Sequence, residues 1–269
     1  MRGLAAVLAS GIAFPAVAAD FFEPPPVVEA PPPVYQAPAV GGWYIRGDVD
    51  YHWNDFSHAD YITGTPGAEG RLNGDLKGAM SIGAGIGYQV NDYFRVDFTG
   101  DYFFDADFDG STVGFCGGGA PCVSSDSTSM NALLLLANAY VDLGTYYGFT
   151  PYVGAGIGGA HVRWDDLRNV NDDGEFFHEG GKEWRFAYAA MAGVSYCLTS
   201  ATKLDVGYRF SHINGGRMFG FDTGAGPGFD DGINVHEVRG GLRYQFTGNN
   251  GCEPPPPPVA YEPPPVYKQ

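Results

Sequence analysis

Apolar and polar residues alternate in steps of two through eight stretches between residues 43 and 246. The last stretch is the plainest. Val238, Gly240, Leu242, Tyr244 and Phe246 fall on one side, and Arg239, Gly241, Arg243 and Gln245 on the other. Successive strand side chains point to opposite faces, so this pattern predicts a ribbon with one greasy face and one charged face. The same contrast predicts strands over 43–53, 76–90, 94–104, 130–143, 151–164, 184–196 and 203–211, with less clean faces at 130–143 and 151–164. A helical period is not evident anywhere in this region.

In a soluble sandwich the greasy faces would meet in a core. In a membrane barrel they turn to lipid and the charged faces line the inside. Connection lengths separate the two cases. Long segments (54–75, 105–128, 165–181 and 214–233) alternate with short ones (91–92, 145–150 and 199–202). Long loops at one end and tight turns at the other are how outer-membrane barrels are built, and an even strand count puts both chain ends at the turn end. Stretches of ten or so residues suffice to cross a bilayer at a tilt. Aromatics near the predicted strand ends (Trp43, Tyr44, Trp53, Tyr88, Tyr93, Phe104, Tyr152, Trp164, Trp184, Tyr196, Tyr244 and Phe246) suit interface girdles. The expectation is an all-β fold: an eight-stranded antiparallel transmembrane β-barrel.

The ends support export. Met1-Arg2, an apolar run from Gly3 to Phe14 and Pro15-Ala16-Val17-Ala18 have the form of a secretory signal, cut after Ala18. Fifteen of the twenty prolines lie between Glu23 and Pro38 or between Glu253 and Pro265, which marks two disordered, proline-rich tails. The expected organisation is a signal over 1–18, a periplasmic tail over 19–41, the barrel over 42–246 and a second periplasmic tail over 247–269. A net charge of −16 repels phosphate, so nucleic acid is excluded as a partner. Four cysteines in an exported chain favour disulfides over metal ligation. Cys116 and Cys122 flank the flexible stretch Gly-Gly-Gly-Ala-Pro and could close a small disulfide loop. Cys197 and Cys252 fall at the same end of the barrel, where a bridge would pin the C-terminal tail.

Eight strands leave an interior that side chains can fill. The inward candidates are Arg46, Lys77, Arg95, Arg185, Lys203, Arg209, Arg239 and Arg243, facing Asp48, Asp50, Asp97, Asp101, Asp142, Asp205 and Glu237. Near-matched charges in a narrow space predict a paired network and a plugged lumen; the alternative is a small porin lined by charge. The long loops are acidic, which leaves a surface-adhesin role open and lets divalent ions bridge them to lipopolysaccharide. Residues 169–175 faintly resemble a calcium loop but lack its first Asp and its closing Glu. His52, His161, His212 and His236 lie on or near strands without a Ser-His-acid constellation, so neither enzyme activity nor a metal or cofactor is expected.

Gly-Gly-Trp-Tyr-Ile at 41–45, Pro-Tyr-Val-Gly-Ala-Gly-Ile-Gly at 151–158, Ala-Gly-Val-Ser-Tyr at 192–196, Lys-Leu-Asp-Val-Gly-Tyr-Arg at 203–209 and His-Glu-Val-Arg-Gly-Gly-Leu-Arg-Tyr at 236–244 carry a resemblance. With the signal and proline leader, the chain resembles the small outer-membrane proteins of rhizobial and Brucella-type alphaproteobacteria, among the OmpA/OmpX-like eight-stranded barrels. Phe246 sits where that family's terminal aromatic assembly signal would be, although this chain continues past it. The resemblance implies outer-membrane lipid and lipopolysaccharide as surroundings. It also implies peptidoglycan as a partner, because some members have a mature Ala-Asp amine joined to the wall. Ala19 and Asp20 match that pair. Residues 19–41 in polyproline geometry would reach about 70 Å.

Overall fold

The computed structural model of the chain describes residues 41–63, 69–116, 119–222, 225–246 and 251–252. Thirteen strands follow one another: β1 (Gly42–Phe56), β2 (Ala59–Thr63), β3 (Glu69–Leu76), β4 (Ala79–Gln89), β5 (Phe94–Cys116), β6 (Ala120–Val123), β7 (Ser125–Asp142), β8 (Phe149–Trp164), β9 (Leu167–Asn171), β10 (Gly174–His178), β11 (Lys182–Cys197), β12 (Thr202–Phe219) and β13 (Ala225–Gln245). Eight of them form an antiparallel ring in the order β1-β4-β5-β7-β8-β11-β12-β13. β13 pairs back onto β1 from Tyr44↔Gln245 to Phe56↔Ile233. Each ring strand therefore has a partner on both sides, which removes the exposed backbone edges that a membrane cannot tolerate.

The turn end carries the three short connections and the two ends of the ring. At the opposite end, the expected long loops are largely strand. β5 and β7 run on well past residue 104 and start well before residue 130, and their extensions pair through Gly110↔Asp126. The β2–β3 hairpin fills the space between β13 and β5 above the shorter β1 and β4. The β9–β10 hairpin joins the edge of β7 above β8. Residues 169–175 are the tip of this hairpin, not a calcium loop. Leu76 and Lys77 also belong to this upper region, because β4 begins at Ala79.

Alternation sorts the side chains as expected over most of the ring. Trp43, Ile45, Val49, Tyr51 and Trp53 face outward from β1, while Tyr44, Arg46, Asp48, Asp50 and His52 are buried inside. Three of the expected girdle aromatics are inside instead. Tyr44, Tyr152 and Trp164 occupy the inward phase of their strands and are almost fully buried. Proximity to a strand end does not fix a face; parity does.

A β-bulge between Phe103 and Ala106 controls what fills the long-hairpin end. Without the extra residue, Asp105, Asp107 and Asp109 would continue the inward phase of Asp101 and Phe103. With it, Ala106 and Phe108 point in and those aspartates point out. Phe108 then packs edge-on against Phe56 at 5.0 Å and Trp164 at 6.0 Å. Leu72, Met130, Leu134, Leu136, Ile213 and Ile233 complete an apolar layer across the barrel. The β7 run Leu133–Leu136 is apolar on both faces, one toward lipid and one toward this layer, which is why its pattern is blurred in the sequence.

Truncating Phe108 removes the ring at the centre of that layer. Phe108→Ala is expected to destabilise the folded barrel by about 3–5 kcal/mol, as large-to-small core substitutions do. Urea titration of the protein in lipid vesicles checks this; a change below about 1 kcal/mol would mean that the layer is not a packed core.

Candidate functional site

Below the apolar layer, the lumen is built from charge. Arg209 on β12 reaches Asp101 on β5 at 2.8 Å. These two strands stand four apart whichever way the ring is counted, so this pair spans the full width of the barrel. Arg209 also holds Glu237 on β13 through both carboxylate oxygens, with Nη2 to Oε1 at 2.7 Å. Arg239 on β13 binds Asp50 at 3.1 Å, Asp101 at 3.0 Å and Asp48 at 3.3 Å. Arg46 on β1 binds Asp48 at 2.7 Å and Asp97 at 3.3 Å. Asp97 also accepts hydrogen bonds from Tyr44 Oη at 3.0 Å and Asn138 Nδ2 at 2.8 Å.

A second group lies nearer the turn end. Arg95 donates to Asp142 at 3.0 Å, and its guanidinium sits 4.0 Å from the Tyr140 ring centroid and 4.7 Å from that of Tyr152. Arg243 donates to Ser195 at 2.9 Å and Asp205 at 3.3 Å, and lies over the Tyr44 ring. Lys203 is buried nearby. At the long-hairpin end Arg185 grips both oxygens of Asp230 at 2.8 Å and donates to the Arg217 carbonyl.

All ten of Arg46, Asp48, Arg95, Asp97, Arg185, Asp205, Arg209, Glu237, Arg239 and Arg243 are thus buried inside the ring. Lys77 is not among them. It lies outside, between β3 and β4, half-exposed and paired with Asp109 at 2.6 Å. Asp230 takes a place in the lumen although its segment reads as an acidic loop. The inward parity changes between Asp230 and Ile233, where Gly232 has φ 113°, and that break is not visible in an alternation count. Tyr44, Tyr140, Tyr152 and Asn138 were also legible only as wall residues, since their partners lie on distant strands.

Seven buried cations therefore face eight buried carboxylates in this lumen among the described residues, which leaves it close to neutral. A lone charge here would lose its hydration without return, whereas multiply bonded pairs offset that cost. Small residues leave the necessary room. A Cβ at Gly241 would stand 2.2 Å from Asp48 Oδ1, and one at Gly83 would stand 2.3 Å from Asp101 Oδ1. His52 marks the boundary with the apolar layer. It is fully buried and stacked 4.8 Å from the Phe103 ring, and neither ring nitrogen has a hydrogen-bond partner. The arrangement braces opposite walls and fills the bore. His161, His212 and His236 stand on the outer wall, His161 against Trp184, His212 against Tyr188, and His236 between Asp55 and Tyr208.

Both pairs of cysteines are disulfide-bonded. Cys116–Cys122 joins β5 to β6 at the long-hairpin end, and Cys197–Cys252 joins the end of β11 to the segment after β13 at the turn end. Ala19 and Asp20 lie outside the described residues.

The network makes a double-mutant prediction. Arg209→Met strands Glu237 and is expected to cost about 3–5 kcal/mol. Arg209→Met combined with Glu237→Met removes both charges and is expected to cost less than the single change. Denaturant titrations of the set check this, and simple additivity would contradict a coupled pair.

Comparison with known proteins agrees with this architecture. The family of the outer membrane protein beta-barrel domain matches residues 4–246. An uncharacterized protein of Brucella abortus (strain 2308) is 38% identical over 277 residues, covering 86% of this chain and 93% of the relative. The outer membrane protein PagN of Salmonella typhimurium is 28% identical over 149 residues, covering 53% of this chain and 60% of its own length. Among solved structures, the outer membrane protein OprG of Pseudomonas aeruginosa is similar over 78% of this chain and 98% of its own, with a TM-score of 0.47 and 16% identity. The chain belongs to the outer-membrane protein β-barrel family, proteins of the Gram-negative outer membrane.

Proposed function

We propose that this protein is a structural element of the cell envelope: a non-conducting outer-membrane anchor that contacts peptidoglycan through its N-terminal tail. The observation that carries the reading is the filled bore. Cross-barrel ion pairs from Arg46, Arg209 and Arg239 occupy its middle, and the Phe56, Phe108 and Trp164 rings close it toward the long hairpins. A barrel sealed by packed side chains suits anchoring better than passage. Multiply bonded pairs that join opposite walls resist deformation of the ring and occupy the space that a water path would need.

The arrangement of the ends supports the same reading. β1 begins and β13 finishes side by side at the turn end, where Tyr44 pairs with Gln245. In this reading that end faces the periplasm, so the chain enters and leaves the barrel on the side of the wall. The Cys197–Cys252 bridge holds the start of the C-terminal tail against the barrel rim. The N-terminal tail, freed by signal cleavage after Ala18, presents the Ala19 amine at the tip of a semi-rigid spacer. That amine attacks the acyl carbon of a stem peptide held as an acyl-enzyme on a transpeptidase, so that the new amide forms as the acyl-enzyme bond breaks and the enzyme's nucleophile leaves with the proton, with Asp20 completing the recognised dipeptide.

Mass spectrometry of sacculi, boiled in detergent and digested with trypsin and muramidase, tests this. The expected species is a peptide that begins at Ala19 and carries a muropeptide mass. Recovery of that peptide only in free form, from protein that washes off with detergent, would remove the covalent tether.

A further inference from the structure

Above the apolar layer, the extended strands and hairpins enclose a vestibule of about 560 Å³, within the size range of small-molecule sites. Its floor includes Leu72 and Leu167, which belong to the sealed layer beneath, so the vestibule is a cup and not the mouth of a channel. The Cys116–Cys122 bridge is part of its wall.

Charge in this cup is one-sided. Glu69, Asp126, Asp173 and Asp222 line it, and no lysine or arginine does. Glu69 and Asp173 are exposed toward the rim and Asp222 is half-buried, but Asp126 is 1% exposed and sits deep. It accepts hydrogen bonds from Ser124 Oγ at 2.8 Å and from Asn169 Nδ2, and Ser124 is in turn bonded to Thr112 at 2.6 Å. Among the described residues no lysine or arginine pairs with it, and its basic neighbour is the imidazole of His178, which lines the same cup. Burial pushes the Asp126 carboxyl above its ordinary pKa against these hydrogen bonds, a cost that a bound cation would offset. His178, 8% exposed, also lines the cup, with Nδ1 buried and without a partner.

The remaining walls are aromatic. Tyr61, Phe115, Phe176 and Phe219 line the same space, and His178 packs against Phe219 at 5.2 Å. Aromatic faces with a deep carboxylate are the surroundings that attract an organic cation, through ring quadrupoles and charge together. An inorganic divalent ion instead needs several oxygens converging at one point. Among the described residues, the one triple of ligating side chains close enough for that is His58, Asp60 and Asp231, and none of them lines the cup.

We infer that this vestibule is a binding site for an organic ammonium ion, with Asp126 as the deep counter-charge, the aromatic rings as the cation-facing walls and Glu69 at the entrance. The site is independent of wall attachment and gives the anchor a surface that senses or captures small amines.

Isothermal titration of the full-length protein in lipid nanodiscs tests the inference with two probes, choline and spermidine. Saturable binding of at least one is expected. The neutral isostere of choline, 3,3-dimethylbutan-1-ol, should bind about tenfold more weakly than choline. Asp126→Asn should weaken ammonium binding by about tenfold, and Phe176→Leu by several-fold. If Asp126→Asn does not insert, Glu69→Gln at the exposed rim serves in its place, with a several-fold loss expected. Failure of both probes to saturate would overturn the assignment. So would equal binding of the neutral alcohol, displacement by magnesium at matching concentration, or unchanged affinity in the variants.

Discussion

Pairing inside a narrow ring holds this fold together. Eight strands close around a space that the side chains of opposite walls can reach across. The pair Arg209–Asp101, joined at 2.8 Å between diametrically placed strands, is the direct expression of that width. Each inward charge finds an opposite charge across or beside the bore, because a lone one would lose its hydration without return. The outer face obeys the opposite demand, since lipid accepts Ile45, Val49 and Leu242 without any partner at all. Both faces are written into one alternating sequence, so the parity of each strand decides whether the barrel can exist.

Two breaks in parity divide the interior into zones. Below the Phe103/Ala106 bulge, β5 sends Arg95, Asp97 and Asp101 into the charged network; above it, the strand sends Ala106 and Phe108 into the apolar layer. On β13, the break near Gly232 brings Asp230 inward to meet Arg185. The charged zone fixes the relative positions of distant strands through directional bonds, and the apolar zone closes the bore by packing. The walls then continue as hairpins beyond the layer, so a filled barrel still presents a cup at one end.

Much of this was legible from the residues alone, and the reasons differ by element. β1, β12 and the second half of β13 contrast a greasy outer face with a polar inner one, so their presence and their inward charges follow from period two. β7 hides its inner face, because Leu134 and Leu136 are as apolar as the lipid-facing Leu133 and Leu135. The strands β2, β3, β6, β9 and β10 lie beyond the greasy band and so carry no lipid-facing signal. The bulge that turns Asp105, Asp107 and Asp109 outward leaves no mark that a count of alternation can detect. The same holds for the membership of Tyr44, Tyr140 and Asp230 in the network, which depends on partners far away in sequence.

The proposed anchoring role requires that packed and paired side chains seal the bore. Single-channel recording of the purified protein in planar bilayers tests that claim most directly. The prediction is a flat baseline for the wild type at neutral pH, with no unitary steps. Stable ohmic steps from the wild-type protein, altered in size or selectivity when Arg209 or Arg239 is substituted, would contradict it and make the charged zone a conduction path.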